Sequence, residues 1–173
     1  NINEIDKIKK LLSTKRKIVI IPHKNPDGDA IGASTGLEYY LEYYNHDIEI
    51  ISPNKFPNFL KWMDPQNSIK IFDEDEECKQ KIIDADIIFT LDFNNLVRIS
   101  ALKDYVKSSN AKVIMIDHHE DPSDYADFMY SDPNMSSTCE MIYHFIDLLG
   151  DLEKIDKNIL KSLYAGIMTD TGS

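Results

Sequence analysis

The sequence predicts an α/β fold: a doubly wound, mainly parallel sheet with flanking helices. Two observations carry this. Short unbroken apolar runs, such as Ile18-Val19-Ile20-Ile21 and Val113-Ile114-Met115-Ile116, have the length and continuous apolarity of strands buried on both faces. Between such runs lie segments whose apolar residues recur every three to four positions, the period of an amphipathic helix. Strand, helix and strand joined by short connections imply right-handed crossovers, and therefore a parallel sheet covered on both sides.

The elements follow in order. Ile2, Ile5, Ile8, Leu11 and Leu12, set among Lys and Glu, form a short opening helix. Ile18 to Ile21, closed by Pro22, is the first strand, and the polar stretch His23 to Asp29 leads into a helix over 30–44. A strand near Asp47 to Ser52 precedes a region punctuated by Pro53, Pro57 and Pro65, and a strand near Ser68 to Phe72 follows it. Next come a helix near Glu76 to Ile83, the strand Asp86 to Leu91, a helix near Val97 to Ser108 and the strand Lys112 to Ile116. From Ser136 onward only helix is expected. Ser137 and Glu140 have capping-box spacing ahead of Met141, Ile142, Phe145, Ile146 and Leu149, and Gly150 ends that helix. The last helix, from about Lys157 to Met168, uses Ile159, Leu160, Leu163, Tyr164 and Ile167 as its apolar face.

Composition bounds the function. A chain of 173 residues, 42% apolar with 6 Gly and 7 Pro, can bury one compact core and is neither collagen-like nor of low complexity. Thirty acidic against 19 basic residues leave a net charge of −11, which disfavours a general grip on a long phosphate backbone, so a nucleic-acid ligand should be short or held elsewhere. No apolar run approaches the roughly 18 to 20 residues of a membrane helix, so no membrane partner is expected. Cys78 and Cys139 have neither CxxC nor paired-His spacing; a reducing, cytoplasmic setting is the expectation. The chain opens without Met and closes on Thr169-Asp170-Thr171-Gly172-Ser173, a small polar cluster directly after an apolar helical pattern, which reads as a segment of a longer protein.

In a doubly wound sheet, ligands bind outside the carboxyl ends of the strands. The polar residues just past the apolar runs here are nearly all aspartate and histidine: His23, Asp27 and Asp29 after the first, Asp92 after Asp86 to Leu91, and Asp117, His118 and His119 after Val113 to Ile116. Asp170, past the apolar pattern of the final helix, can join them. Carboxylates gathered at one edge repel one another and raise each other's pKa, a cost that divalent cations remove. Two His and four Asp supply about seven ligand bonds if one Asp bridges, the makeup of a two-metal site. Imidazole with carboxylate and no thiolate favours Mn²⁺, with Mg²⁺, Co²⁺ or Zn²⁺ as alternatives. Each piece alone has an ordinary explanation, since Pro26-Asp27-Gly28 is a turn and a single Asp after a strand is commonly a cap. The combination at three strand ends does not follow from packing.

This set resembles the DHH phosphoesterase superfamily. The matching residues are His23-Lys24-Asn25-Pro26-Asp27-Gly28-Asp29-Ala30-Ile31-Gly32, Asp92 with Arg98, Asp117-His118-His119, and Gly166-Ile167-Met168-Thr169-Asp170-Thr171-Gly172. The resemblance spans essentially the whole chain and implies one metal on His23, Asp27 and Asp92 and a second on Asp29, Asp92, His118 and Asp170, with Asp92 bridging. It implies that His119 faces the scissile phosphate, that Asp117 orients the histidines, and that Arg98 clamps phosphate with its forked guanidinium. Ser136, Ser137 and Thr138, at a helix N-terminus, are candidate phosphate-side donors, with ordinary capping as the alternative.

Two departures from the family pattern stand out. Asn94 and Asn95 follow Asp92-Phe93 where many relatives have a hydroxyl residue, and the family's second domain, DHHA1, is absent, so residues 1–173 are read as the catalytic DHH domain alone. The expected function is a manganese-dependent phosphoesterase of the nanoRNase and pAp-phosphatase branch, acting by two-metal-activated water on short oligoribonucleotides and small nucleotides. Alternatives are a cyclic-di-AMP or pApA phosphodiesterase, a RecJ-like single-strand exonuclease, and a degenerate module that only binds. A homodimer is compatible with the sequence.

Overall fold

The computed structural model describes residues 4–172. Ile2, which the helical pattern includes, lies outside the described residues. In chain order the elements are α1 (Ile5–Leu12), β1 (Lys17–Pro22), α2 (Gly28–Glu42), β2 (Asp47–Ser52), β3 (Ile69–Ile71), α3 (Glu77–Ile83), β4 (Ile87–Leu91), α4 (Leu102–Ser108), β5 (Lys112–Asp117), β6 (Phe128–Ser131), α5 (Thr138–Leu148) and α6 (Lys157–Thr171). Short 3₁₀ turns occupy Asn58–Met63, Leu96–Ile99 and Leu152–Lys154.

The strands form one sheet in the order β3-β2-β1-β4-β5-β6, and every pairing is parallel. The winding direction reverses between β1 and β4, the position where a crevice opens at the carboxyl edge. Successive side chains of a strand face opposite sides, which explains the unbroken apolar runs. Ile18 and Ile20 enter the core beneath α2 and α5, while Val19 and Ile21 enter the one beneath α3 and α4. No helix among the described residues is long and apolar enough to cross a membrane.

The helices α2 and α6 approach too closely for a side chain at the contact. A Cβ on Gly32 would stand 2.6 Å from the Ser162 carbonyl oxygen, and one on Gly166 would stand 2.2 Å from Cys139 Sγ. These absent side chains let α6 lie directly against α2 and α5, so its last turn reaches the carboxyl edge of the sheet.

Several details differ from the sequence expectation, and Leu160 and Tyr164, expected on the apolar face of the last helix, are 51% and 65% exposed. The helix expected over Val97 to Ser108 is a 3₁₀ turn followed by α4, interrupted at Ser100, whose φ of 52° lies in the left-handed region that helices do not pass through. Edge strand β6 was not expected, because its four residues sit in an Asp- and Pro-punctuated stretch with no alternating pattern. The helix α2 starts at Gly28, not Ala30, so Asp29 belongs to its first turn and not to the preceding loop. Finally, α6 continues through Thr171, so Asp170 lies inside its last turn, not beyond it.

Candidate metal centre

Parallel register brings the three strand ends level. Pro22 pairs with Leu91, and Leu91 with Ile116, so His23, Asp92 and Asp117 each stand one residue past the same line. Asp92 then turns sharply. Its φ of 66° is left-handed, a conformation Asp tolerates better than most residues, and its amide donates to the Ile116 carbonyl at 3.1 Å. The turn points its carboxylate across the switch point: Oδ2 lies 3.4 Å from His23 Nε2, and Oδ1 lies 3.5 Å from His118 Nε2. Thr138 Oγ1 donates to the same Oδ1 at 3.0 Å.

The other acids arrive on helix ends. Asp27 is the N-cap of α2: Oδ1 accepts from the Ala30 amide at 3.0 Å, while Oδ2 faces His23 Nε2 at 3.7 Å. Capping takes one oxygen and leaves the other facing His23. Asp29 is buried against the N-terminus of α5, where the Thr138 and Cys139 amides donate to its two oxygens at 2.7 and 2.9 Å. Helix dipole and orphan amides both favour a carboxylate there. Asp29 Oδ2 and Asp170 Oδ2 each lie 3.9 Å from His118 Nε2.

Three imidazoles are held in set orientations. His23 Nδ1 lies 2.8 Å from the Lys24 carbonyl and His118 Nδ1 lies 3.4 Å from the Met135 carbonyl, so both rings present Nε2 to the acids. His119 is turned the other way. Its Nδ1 lies 2.6 Å from Asp117 Oδ1 and 3.9 Å from Asp92 Oδ1, and its ring is half-exposed. Asp117 is fully buried and orients His119 alone; its Oδ2 has no hydrogen-bond partner among the described residues.

The electrostatics follow from this crowding. Burial opposes charge on His23, but the Asp27 and Asp92 carboxylates override it and push the imidazole up to about 10. The Asp92 carboxylate, against the opposing effect of burial, pushes His118 up to about 9. Burial and the charge of Asp92 push Asp29 up to about 7, whereas the hydrogen bonds from His118 and His23 hold Asp92 down in spite of its own burial. The acids thus draw positive charge into the centre, as protons on imidazole or as cations.

Two sets of donor atoms, His23 with Asp27 and Asp92, and Asp29 with His118 and Asp170, each fall within 4.8 Å of one another. Asp92 also groups with His118 and His119. These carboxylate and imidazole donors, with Nε2 of His23 and of His118 freed by backbone hydrogen bonds at Nδ1, fit divalent metal ions.

Arg98 is not drawn in. Its carbonyl accepts from the Lys24 amide at 2.8 Å, which places its turn beside the loop after β1, but the side chain is exposed and makes no hydrogen bond or ion pair among the described residues. The three hydroxyl residues at the start of α5 have internal partners. Ser137 caps the helix, the Ser136 amide and hydroxyl donate to Glu140, and Thr138 donates to Asp92. The carbonyls of Lys24 and Met135 and the amide of Cys139 escaped the sequence reading. Backbone atoms leave no residue-type signature, and Cys139 read only as a small apolar residue.

An all-parallel doubly wound sheet with this acid and imidazole cluster at its switch point defines the class, and residues 17–167 match the DHH family, N-terminal domain; the chain belongs to the DHH family. It is 30% identical over 157 residues to the bifunctional oligoribonuclease and PAP phosphatase NrnA of Bacillus subtilis, covering 90% of this chain and 46% of that protein. It is 23% identical over 173 aligned positions to the cyclic-di-AMP phosphodiesterase PdeA of Listeria monocytogenes, covering 95% of this chain and 26% of that protein. Among solved structures, an exopolyphosphatase-related protein from Bacteroides fragilis superposes with a TM-score of 0.95 at 41% identity, over 99% of this chain and 51% of that one. RecJ from Thermus thermophilus, solved with Mn²⁺, shares the fold with a TM-score of 0.58 at 12% identity, over 98% of this chain and 24% of that one. The chain spans about half the length of the NrnA relative.

Proposed function

We propose that this chain is the catalytic part of a phosphoesterase that uses two divalent metal ions, Mn²⁺ first among them, to hydrolyse short oligoribonucleotides or small nucleotides of the pAp type. The observation that carries the reading is the position of Asp92, one carboxylate oxygen toward His23 and the other toward His118, each with further aspartates around it. His23, Asp27 and Asp92 would hold one ion, and Asp29, Asp92, His118 and Asp170 the other. Bound there, the ions supply water activation and neutralisation of phosphoryl charge.

The chain's own residues do the rest. The Asp117 carboxylate pushes the pKa of His119 up and engages Nδ1, which leaves Nε2 of the half-exposed ring to hold a proton against a phosphoryl oxygen. Arg98, exposed beside the loop after β1, supplies a fork for a terminal phosphate. Two buried free cysteines accord with a reducing, cytoplasmic setting. The names of the relatives favour oligoribonucleotides and pAp over cyclic-di-AMP, since NrnA aligns at higher identity than PdeA.

The test is hydrolysis of bis-p-nitrophenyl phosphate, pAp and di- to pentaribonucleotides, with chelator and with millimolar Mn²⁺, Mg²⁺ or Co²⁺. Metal-dependent release of nitrophenol or nucleoside monophosphate supports the reading; no hydrolysis with any of these ions refutes it.

A further inference from the structure

A second feature lies along α6. A groove of about 600 Å³ runs between α6, Tyr39 of α2 and the 3₁₀ turn Asn58–Met63, a size typical of a small-molecule site. Its walls carry Tyr39, Trp62 and Tyr164, with Lys161 as its one basic lining residue. Trp62 and Tyr164 are 64% and 65% exposed, although large aromatic side chains are normally buried. At its upper end Thr169 packs on Gly28, so closely that a Cβ there would be 2.3 Å from Thr169 Oγ1, and the next residue, Asp170, belongs to the metal-ligand group. One end of the groove therefore adjoins the start of α2, where Asp27 and Asp29 flank Gly28. From there it follows α6 from Thr169 back to Asn158, a rise of about 16 Å, enough for several bases at about 3.4 Å each.

We propose that this groove is a base-stacking track that receives the bases of a short single strand whose scissile phosphate lies at the candidate metal centre, with Trp62 and Tyr164 as the stacking faces. The inference rests on the phosphoesterase reading above. Aromatic stacking suits this chain. A net charge of −11 prevents it from holding a strand by phosphate contacts alone, whereas stacking asks nothing of the backbone charge and accepts any base. Lys161 contributes one counter-charge along the way. A track of this length would favour a few nucleotides over one, without a preference for sequence.

Trp62 is the chain's single tryptophan, so intrinsic tryptophan fluorescence reports this groove alone. The chain is titrated with phosphorothioate oligoadenylates of one to four nucleotides, and with inorganic phosphate and ribose 5-phosphate as base-free controls. The expected result is quenching that deepens and tightens from one to three nucleotides and is missing with both controls. In parallel, Trp62→Leu and Tyr164→Ala should each raise KM for triadenylate about tenfold. Their kcat and KM for bis-p-nitrophenyl phosphate, and their Mn²⁺-induced shift in melting temperature, should match the parent. Hydrolysis of the nitrophenyl ester with no quenching by any oligonucleotide overturns the track and leaves the phosphoesterase reading intact. Emission that is already blue-shifted without ligand, and red-shifts on dilution, also overturns it, because a second copy of the chain then covers the groove. Quenching by oligonucleotides without any ester hydrolysis supports the track and refutes the enzyme.

Discussion

His119 Nδ1 lies 2.6 Å from Oδ1 of Asp117, and that pairing turns the ring away from the orientation shared by His23 and His118. It separates the roles of the adjacent histidines, His118 directing Nε2 toward Asp92 and His119 directing Nδ1 toward Asp117. Replacing His119 by Ala should leave Mn²⁺ binding nearly unchanged while lowering kcat on bis-p-nitrophenyl phosphate by about 100- to 1000-fold, the usual cost of one transition-state donor. Asp92→Ala, which removes the carboxylate between the two donor groups, should abolish both binding and turnover. Calorimetric Mn²⁺ titration of the two variants checks this; equal loss of metal in both would make His119 a ligand.

Metal binding should be visible as stability. Ions that bind only the folded chain stabilise it by mass action, about 2.7 kcal/mol at one hundred times Kd, and for a chain of this size each kcal/mol moves Tm by about 2 to 4 °C. Millimolar Mn²⁺ should therefore raise Tm by about 5 to 10 °C relative to chelator. Superimposable melting curves would show that the cluster does not hold metal.

The residues of the centre were legible because strand ends in a parallel sheet are level by register, so polar residues following apolar runs converge whatever the loops do. Asp92 shows the limit of that reasoning. Its position follows from sequence, but the left-handed turn that aims its two oxygens in different directions does not. Asp29 and Asp170 were placed in loops because Gly28 and the small polar residues near 170 read as breakers, while both helices extend through them. The division of α4 at Ser100 and the short strand β6 were hidden for a related reason, since one backbone angle or one edge pairing leaves no periodic pattern.

Glu38 should make stability depend on pH. It is buried on α2, where Oε2 accepts from Ser68 Oγ at 2.9 Å, and burial pushes its pKa from 4.5 up to about 7. The folded state binds this proton more tightly than the unfolded state. Its contribution is therefore fully present below about pH 4.5 and is lost as pH rises through 7. Glu38→Gln, which keeps an acceptor for Ser68 without the charge, should be more stable than the parent at pH 8 by up to about 3 kcal/mol, and equal to it near pH 4.5. Urea denaturation with chelator at the two pH values measures the difference; a constant offset would assign the effect to packing.

Gly166 links helix packing to the centre. A methyl group there would lie 2.2 Å from Cys139 Sγ and 3.2 Å from both Asp29 Cα and the Gly28 carbonyl oxygen. The Cys139 amide in turn holds Asp29 Oδ1, and α6 carries Asp170 one turn further on. Gly166→Ala must therefore push α6 outward or displace Cys139, and either movement shifts a carboxylate beside His118. It should cost about 1 to 3 kcal/mol of stability, the usual penalty of overpacking, and weaken Mn²⁺ binding. Gly36→Ala supplies the comparison, since its methyl would stand 2.6 Å from Leu163 Cδ2, a flexible side-chain end, and no ligand residue is among its near neighbours. That variant should lose stability while keeping its metal affinity. Adding Cys139→Ala to Gly166→Ala removes the sulfur that the methyl meets, so a double-mutant cycle should show a favourable coupling and a partial return of Mn²⁺ affinity. Additive losses in that cycle would mean that the Gly166 contact does not transmit to the centre.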